Sequence, residues 1–313
     1  MKKVLAVAAL LGLAGAAQAQ VTIYGLIDMS VGQNEYLGER NAQFHSGGDN
    51  GSSQGNSTTR IGFKGATVVA PGVKANFQLE TSGITSSGGL NGDMFGRQAW
   101  AGISGSLGEV RLGKQDSVAF QTMIGFDFNG AANAASAQAA SGAGTWFGAD
   151  IAAGSRRDRS LQYISNNLGG LKVQAGLQLK GDIPSAKDSF ALGLTYTAGP
   201  LAVAYTGESS RVAGGSDFSS VAGSYDLGVA KVMLGYADGG TGLKGTTVGI
   251  TAPVAGVNLG LIYSQNSDSA NGYATEVFVN KEIFKGTYAY FDYGNKNKPT
   301  SLNTYALGMI FTF

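Results

Sequence analysis

The sequence predicts an all-β fold, a transmembrane antiparallel β-barrel of about 16 strands in an outer membrane. Three observations predict it. Segments of about ten residues alternate apolar and polar side chains, as expected for strands with one face in lipid and one in water. The last segment, residues 302–313, alternates in this way and ends on Phe313. The first 19 residues have the basic start, apolar run and small-residue end of a secretory signal.

The chain divides into a signal and one domain. Lys2 and Lys3 precede an apolar run, and the Ala-Gln-Ala sequence that ends at Ala19 predicts cleavage after that residue. Residues 20–313 then form a single barrel domain. Their longest apolar runs are shorter than the roughly 18 to 20 residues that a membrane helix needs. A chain of this kind can enter a membrane only as a closed sheet, because a closed sheet satisfies its own backbone groups.

The strands are separated by alternately short and long connections, which is typical of barrels with tight periplasmic turns and longer outer loops. The longest connection, residues 116–155, is predicted to be a third outer loop that folds into the lumen, because a barrel of about 16 strands is otherwise an open channel. A soluble β-sandwich is the alternative, but sandwiches hold about 7 to 9 strands. The predicted strands are residues 21–31, 58–69, 73–84, 94–104, 109–115, 157–166, 171–180, 188–197, 201–208, 217–226, 229–237, 244–252, 257–265, 273–281, 286–293 and 302–313.

Composition argues against an enzyme. The chain has no Cys and one His, His45, which lies in a loop rich in Gly, Ser and Asn. The usual nucleophile–base pairs and metal sites are hard to assemble from such a set, so we expect no catalytic residue, metal or cofactor. The formal net charge is +1, and no polybasic segment predicts nucleic-acid binding.

Basic residues on the lumen face are the strongest functional signal. Alternation places Arg60 and Lys64 opposite the apolar Ile61 and Phe63, and it does the same for Lys74. Arg97 shares its parity with apolar residues, so it must lie near a strand end or a bulge to reach water. The predicted basic side of the constriction comprises Arg60, Arg97, Arg156, Lys64, Lys74 and Arg111. The predicted loop side comprises Asp116, Asp127 and Asp150.

Several segments resemble the Gram-negative general diffusion porins of the β-proteobacterial and neisserial type. The first strand begins Val-Thr-Ile-Tyr-Gly-Leu-Ile-Asp at Val21, and residues 59–65, 72–80, 95–97, 102–115 and 225–231 match in order, with residues 60–115 the most specific. The resemblance implies a 16-stranded barrel, a homotrimer and an inward third loop. It also implies a transverse field in which Arg60, Arg97 and Arg156 form the basic side.

The predicted function is an outer-membrane channel for passive diffusion of small hydrophilic solutes and ions, with a mild preference for anions. Its expected partners are those solutes, outer-membrane lipid and two further copies of the chain. Two alternatives are a substrate-selective channel and a non-conducting barrel that acts as an adhesin or structural protein. The first would need an aromatic track in the lumen, and the second a plugged barrel. An outer-membrane hydrolase is a distant third possibility.

Overall fold

The computed structural model describes residues 20–131, 134–143, 155–240 and 242–313. The predicted signal, its cleavage after Ala19 and the predicted site residue Asp150 lie outside these residues. Within them, sixteen long antiparallel strands form a closed sheet, which confirms the predicted barrel. The strands are β1 (Gln20–Asn34), β2 (Arg60–Ala70), β3 (Val73–Glu80), β4 (Gln98–Gly105), β5 (Gly108–Asp116), β6 (Arg156–Ile164), β7 (Leu171–Gln178), β8 (Ser189–Ala198), β9 (Leu201–Glu208), β10 (Phe218–Asp226), β11 (Lys231–Asp238), β12 (Lys244–Val254), β13 (Val257–Asn266), β14 (Tyr273–Phe284), β15 (Thr287–Lys296) and β16 (Leu302–Thr312).

The sheet closes at β1, which pairs with two long strands. Its first half pairs with β2, from Gln20 opposite Ala66 to Leu26 opposite Arg60. Its second half pairs with the last strand, from Leu26 opposite Thr312 onward. The long strands on either side of the chain ends are therefore joined, which removes the free edge that an open sheet would present.

The two faces of the barrel differ as the alternation predicts. On β1, Ile23 is 58% exposed and Met29 51%, whereas Asp28 between them is fully buried. The same contrast recurs on β14, where Val277 is exposed and Glu276 is buried. Apolar side chains thus cover the outside, where lipid would lie, and polar side chains point into the barrel.

The loops at one end of the barrel carry their own short elements. The first loop, residues 35–59, contains a short strand, Gln43–Ser46, that pairs with β1. The second loop, residues 81–97, contains a small hairpin of Gly83–Ile84 with Leu90–Asn91. The third loop, described at residues 117–131, 134–143 and 155, contains the helices α1 (Val118–Met123) and α2 (Ala137–Ser141). In the described part of the chain, all helices are too short to cross a membrane.

Both helices of the third loop pack on the barrel side chains that point away from the exposed apolar face. Met123, the last residue of α1, and Phe126, just after the helix, pack with Ala204, Ala222 and Met233. The sequence neighbours of these three barrel residues include exposed apolar residues such as Tyr205, Val221 and Leu234. The α2 residue Ala137 packs with buried apolar residues of β13 and β14. Ser117 caps the start of α1, where its hydroxyl accepts a hydrogen bond from the Phe120 N–H.

Candidate pore constriction

A buried carboxylate, Glu80 at the end of β3, organises the first group of charged residues. Its Oε1 lies 2.6 Å from Nε of Arg97, and its Oε2 lies 3.6 Å from Nε of Arg60. The hydroxyl of Tyr24 donates to the same carboxylate at 2.9 Å and accepts a hydrogen bond from Gln78. Two guanidinium groups and one phenol are therefore held in place by a single acid.

Arg97 reaches this acid because it lies outside regular strand structure. It precedes β4, which begins at Gln98, and its backbone N–H donates to the Glu80 carbonyl. The alternation of β4 therefore does not set the direction of its side chain. Gln98 faces inward with Glu80, its partner in the strand register.

A second ion pair joins β5 to β6. Nε of Arg156 lies 2.7 Å from Oδ1 of Asp116, and the two residues are directly opposite in register. The Arg156 guanidinium also lies 5.0 Å from the ring centre of Phe120 in α1, a cation–π contact. This arginine thus contacts both the barrel and the third loop.

These groups line one cavity of about 840 Å³. Four basic residues line it, Arg60, Arg97, Arg156 and Lys114, against three acids, which leaves an excess of one positive charge. The third loop contributes to the lining through Phe120, Ile124, Gly130 and Ala131. The remaining acidic lining residues are Glu80, Asp116 and Asp158.

The other three predicted basic residues lie in a different place. Lys64, Lys74 and Arg111 line a second cavity of about 1060 Å³ together with Glu109 and Trp100. The Arg111 guanidinium stacks 4.2 Å from the Trp100 ring centre and contacts Glu109 at 2.6 Å. The six predicted basic residues therefore form two groups of three instead of one continuous surface.

The predicted acidic residues differ from the expected arrangement. Asp116 is the last residue of β5 and pairs with Arg156, so it lies on the basic side and not across from it. Asp127 does belong to the third loop, but it is nearly buried, and burial raises the pKa of its carboxyl. Desolvation favours the neutral form of a carboxyl, so Asp127 is a weaker negative group than an exposed aspartate.

A cluster of buried carboxylates on β1, β14 and β15 receives the tip of the third loop, residues 127–131 and 134–137. The side chain of Asn129 donates to Glu276 Oε1 at 2.7 Å and to Asp292 Oδ1 at 3.0 Å. The backbone N–H of Ala137 donates to the other Glu276 oxygen at 3.0 Å. Asp28, on β1, accepts from the Tyr290 hydroxyl at 2.6 Å. The tip is thus joined to the barrel by several hydrogen bonds.

Sequence reasoning missed most of this cluster. Glu276 and Asp292 have lumen parity on their strands, which could have marked them, but their partner Asn129 lies 147 and 163 residues away in sequence. Glu80 has the same parity as Lys74 on β3, which indicates the lumen side, but nothing in the sequence indicates that it pairs with two arginines. Among the described residues, no group of three His, Asp or Glu side chains is placed to hold a metal ion.

Comparison with known proteins identifies the family. A family model described as Gram-negative porin matches residues 6–301. An outer membrane porin protein of Bordetella pertussis is 33% identical over 296 residues, covering 81% of this chain and 74% of that protein. The chain belongs to the Gram-negative porins, the channel-forming proteins of the outer membrane, and this confirms the resemblance and the predicted location.

Solved structures support the fold. An anion-selective porin from Comamonas acidovorans superposes with a TM-score of 0.75 at 22% identity, covering 95% of this chain and all of that one. OmpT of Vibrio cholerae, in a structure described as its trimer form, superposes with a TM-score of 0.64 at 16% identity, covering 94% of this chain and 99% of that one.

Proposed function

We propose that this porin is a passive diffusion channel for small hydrophilic solutes and ions, with a mild preference for anions. The third loop, packed against the inner side of the barrel, narrows the lumen at the 840 Å³ cavity. Solutes pass through this cavity, which is lined by the third loop together with Arg60, Arg97 and Arg156. Size is limited by the loop, and charge preference by the groups that face the passage.

The observation that carries the proposal is the convergence of Arg60, Arg97 and Arg156 on one cavity. They come from the ends of three segments that are far apart in sequence, yet all three line it. Two acids partly compensate them, and the excess of positive charge favours anions. The preference is mild, because each arginine lies within 4 Å of a carboxylate.

The test is the reversal potential of the purified channel in a planar bilayer under a salt gradient. Replacing Arg60, Arg97 and Arg156 together by Gln is expected to shift the reversal potential toward cation selectivity. A matched control replaces Arg40, Arg159 and Arg211, which line neither cavity, and changes the net charge by the same amount. An unchanged reversal potential in the first variant would refute the basic constriction.

We also propose that the protein works without catalysis, as its relatives are named as porins and not as enzymes. Its one imidazole, His45, is buried in the first loop, 3.4 Å from Glu39 and away from the arginine cavity. Incubation of the folded protein with ester, peptide and lipid substrates should produce no hydrolysis above a heat-denatured blank.

The assembly is proposed to be a homotrimer. The Vibrio cholerae OmpT structure is described as a trimer, and the resemblance to general diffusion porins implies the same assembly. Among the described residues, the outer face of this barrel is also uneven, because the outward positions of β1 to β5 carry no tyrosine.

A further inference from the structure

The first loop also reaches the tip of the third loop, through the side chain of Asn56. Its Nδ2 donates one hydrogen bond to Asp292 Oδ2, at 2.8 Å, and a second to Asn129 Oδ1, at 3.0 Å. Asp292 belongs to β15, and Asn129 belongs to the third loop. One amide group therefore bonds to the barrel and to the loop tip at the same time.

Backbone contacts support the same junction. The N–H of Ala134 in the third loop donates to the Gly55 carbonyl of the first loop at 3.0 Å. The N–H groups of Asn56 and Ser57 both donate to Asp28 Oδ2, at 2.8 and 2.6 Å. The first loop is thus fixed to β1 at the point where it holds the third loop.

The turn that makes this approach possible requires glycine. Gly55 has a φ of +64°, and a Cβ there would lie 2.7 Å from Asp28 Oδ2 and 3.0 Å from the Tyr290 hydroxyl. A side chain would push the first loop away from the barrel, since only glycine fits both the space and the backbone angle.

The buried acids around this junction of the two loops are hydrogen-bonded by uncharged donors, and no Lys or Arg of the described residues pairs with them. Among the described residues, Asp28, Glu276 and Asp292 are fully buried and form no ion pair with Lys or Arg. Buried carboxylate oxygens are costly unless hydrogen-bonded. Asn129 supplies one donor to Asp292, and Asn56 supplies a donor to its second oxygen.

We propose that Asn56 is a positioning residue that holds the tip of the third loop against the barrel and thereby stabilises the open channel. The part of this proposal that concerns the open channel rests on the proposed function. A hydrogen bond to a charged acceptor is worth about tenfold or more in an equilibrium constant. Loss of the Asn56 amide should therefore raise the population of displaced loop tips about tenfold.

The first experiment measures loop mobility without conduction. Because the chain has no Cys, a single Ala139→Cys substitution on the exposed side of α2 accepts one nitroxide spin label. In this background, Asn56→Ala is expected to increase label mobility in the electron paramagnetic resonance spectrum. The matched control is Asn50→Ala, since Asn50 is an exposed first-loop residue whose side-chain amide donates to Glu39 at 3.2 Å. All variants are compared as folded, heat-modifiable protein.

The second experiment records single channels. Asn56→Ala is expected to close about tenfold more often at a fixed voltage, and Asn50→Ala to behave as the parent. Asn56→Asp should be at least as defective, because it places an acceptor against Asp292. Adding Asp292→Asn should partly restore the open channel, since donor and acceptor are then exchanged.

Equal label mobility and equal closing frequency in Asn56→Ala and Asn50→Ala would overturn the proposal. Failure of the exchange variant to improve on Asn56→Asp in either measurement would also count against it. A parent protein that does not conduct would refute the channel function, and the spin-label comparison would then decide on the role of Asn56 by itself.

Discussion

Glu80 has two opposite effects on the arginines beside it. It fixes the direction of Arg97 and Arg60, and it cancels part of their charge. Since Tyr24 and Gln78 extend the same hydrogen-bond network, the carboxylate is held on three sides. Glu80 therefore determines how strongly the positive charges of Arg60 and Arg97 act on a passing ion.

Replacing Glu80 by Gln should therefore make the channel more selective for anions. Removing one negative charge about 6 Å from the passage in bulk water favours an anion by about 0.7 kcal/mol and disfavours a cation by the same amount, so we expect roughly a tenfold rise in the anion to cation permeability ratio. The reversal potential in a salt gradient measures this ratio.

The control is Glu282→Gln, which makes the same change in net charge at a residue that lines neither cavity. If Glu80→Gln left the ratio at the control value, Glu80 would be a structural residue with no part in ion selection.

Parity predicts the direction of side chains that belong to a strand, and it fails for residues outside one. Arg60 and Lys64 could be placed on the lumen side, because both follow the alternation of β2. Arg97 could not be placed by parity, since a bend outside β4 directs it. Asn56 carries no local signal at all, because its partner Asp292 is 236 residues away in sequence.

At the scale of elements, the ninth strand was predicted with its observed bounds, Leu201–Glu208. The third and fourth were predicted too long, since they were extended to residue 84 and back to residue 94. Part of that extra length, Gly83–Ile84, belongs instead to a separate small hairpin, in which it pairs with Leu90–Asn91. Local alternation is the same in a barrel strand and in a loop hairpin, so sequence could not separate them.

The base of the third loop is held by a buried ion pair that links β6 to β9. Nε of Arg157 lies 2.6 Å from Oε1 of Glu208, and both side chains are only 5% exposed. The pair and Val118 of α1 line a small cavity beneath the helix. An unpaired charge at this buried position would destabilise the fold, because it has neither hydration nor an ion-pair partner.

Arg157→Leu should accordingly destabilise the folded barrel by about 3 to 5 kcal/mol. The measurement is the midpoint of thermal unfolding in detergent, followed by loss of the folded band on an unheated gel. Lys244→Leu is the control, because Lys244 pairs with Asp238 at 3.8 Å with both side chains about 40% exposed or more. Exposed pairs contribute about 0 to 1 kcal/mol.

The double variant Arg157→Leu with Glu208→Leu should regain most of the loss, since it leaves no lone buried charge. Equal destabilisation by Arg157→Leu and Lys244→Leu would show that the buried pair contributes no more to stability than the exposed pair.

At the scale of the whole molecule, the outer surface has two unlike sectors. Seven outward-facing tyrosines are exposed on strands from β6 to β15, whereas the described residues of β1 to β5 place no Tyr or Trp outward. Tyrosine favours the membrane interface, where its ring is partly in lipid and its hydroxyl meets water. The seven are Tyr163, Tyr196, Tyr205, Tyr225, Tyr236, Tyr273 and Tyr293.

A sector without tyrosine is better suited to contact with another subunit than with lipid. Apart from Phe63 and Phe77, the outward side chains of β1 to β5 are aliphatic or small, for example Ile23, Ala101 and Leu112. Small residues allow close approach of two sheets, and apolar ones resemble the core of a permanent interface. We therefore expect the trimer contacts to lie on this sector.

Enlarging a small residue there should weaken the proposed trimer. Ala101→Trp, on the outward face of β4, is expected to increase the monomer fraction on unheated gels and in native mass spectrometry, because the indole would occupy space needed by the neighbouring subunit. The control is Ala175→Trp, at an exposed position on the outward face of β7, where the ring would enter lipid. Dissociation by Ala175→Trp alone would place the interface on the opposite sector, and an intact trimer in both variants would exclude Ala101 from it.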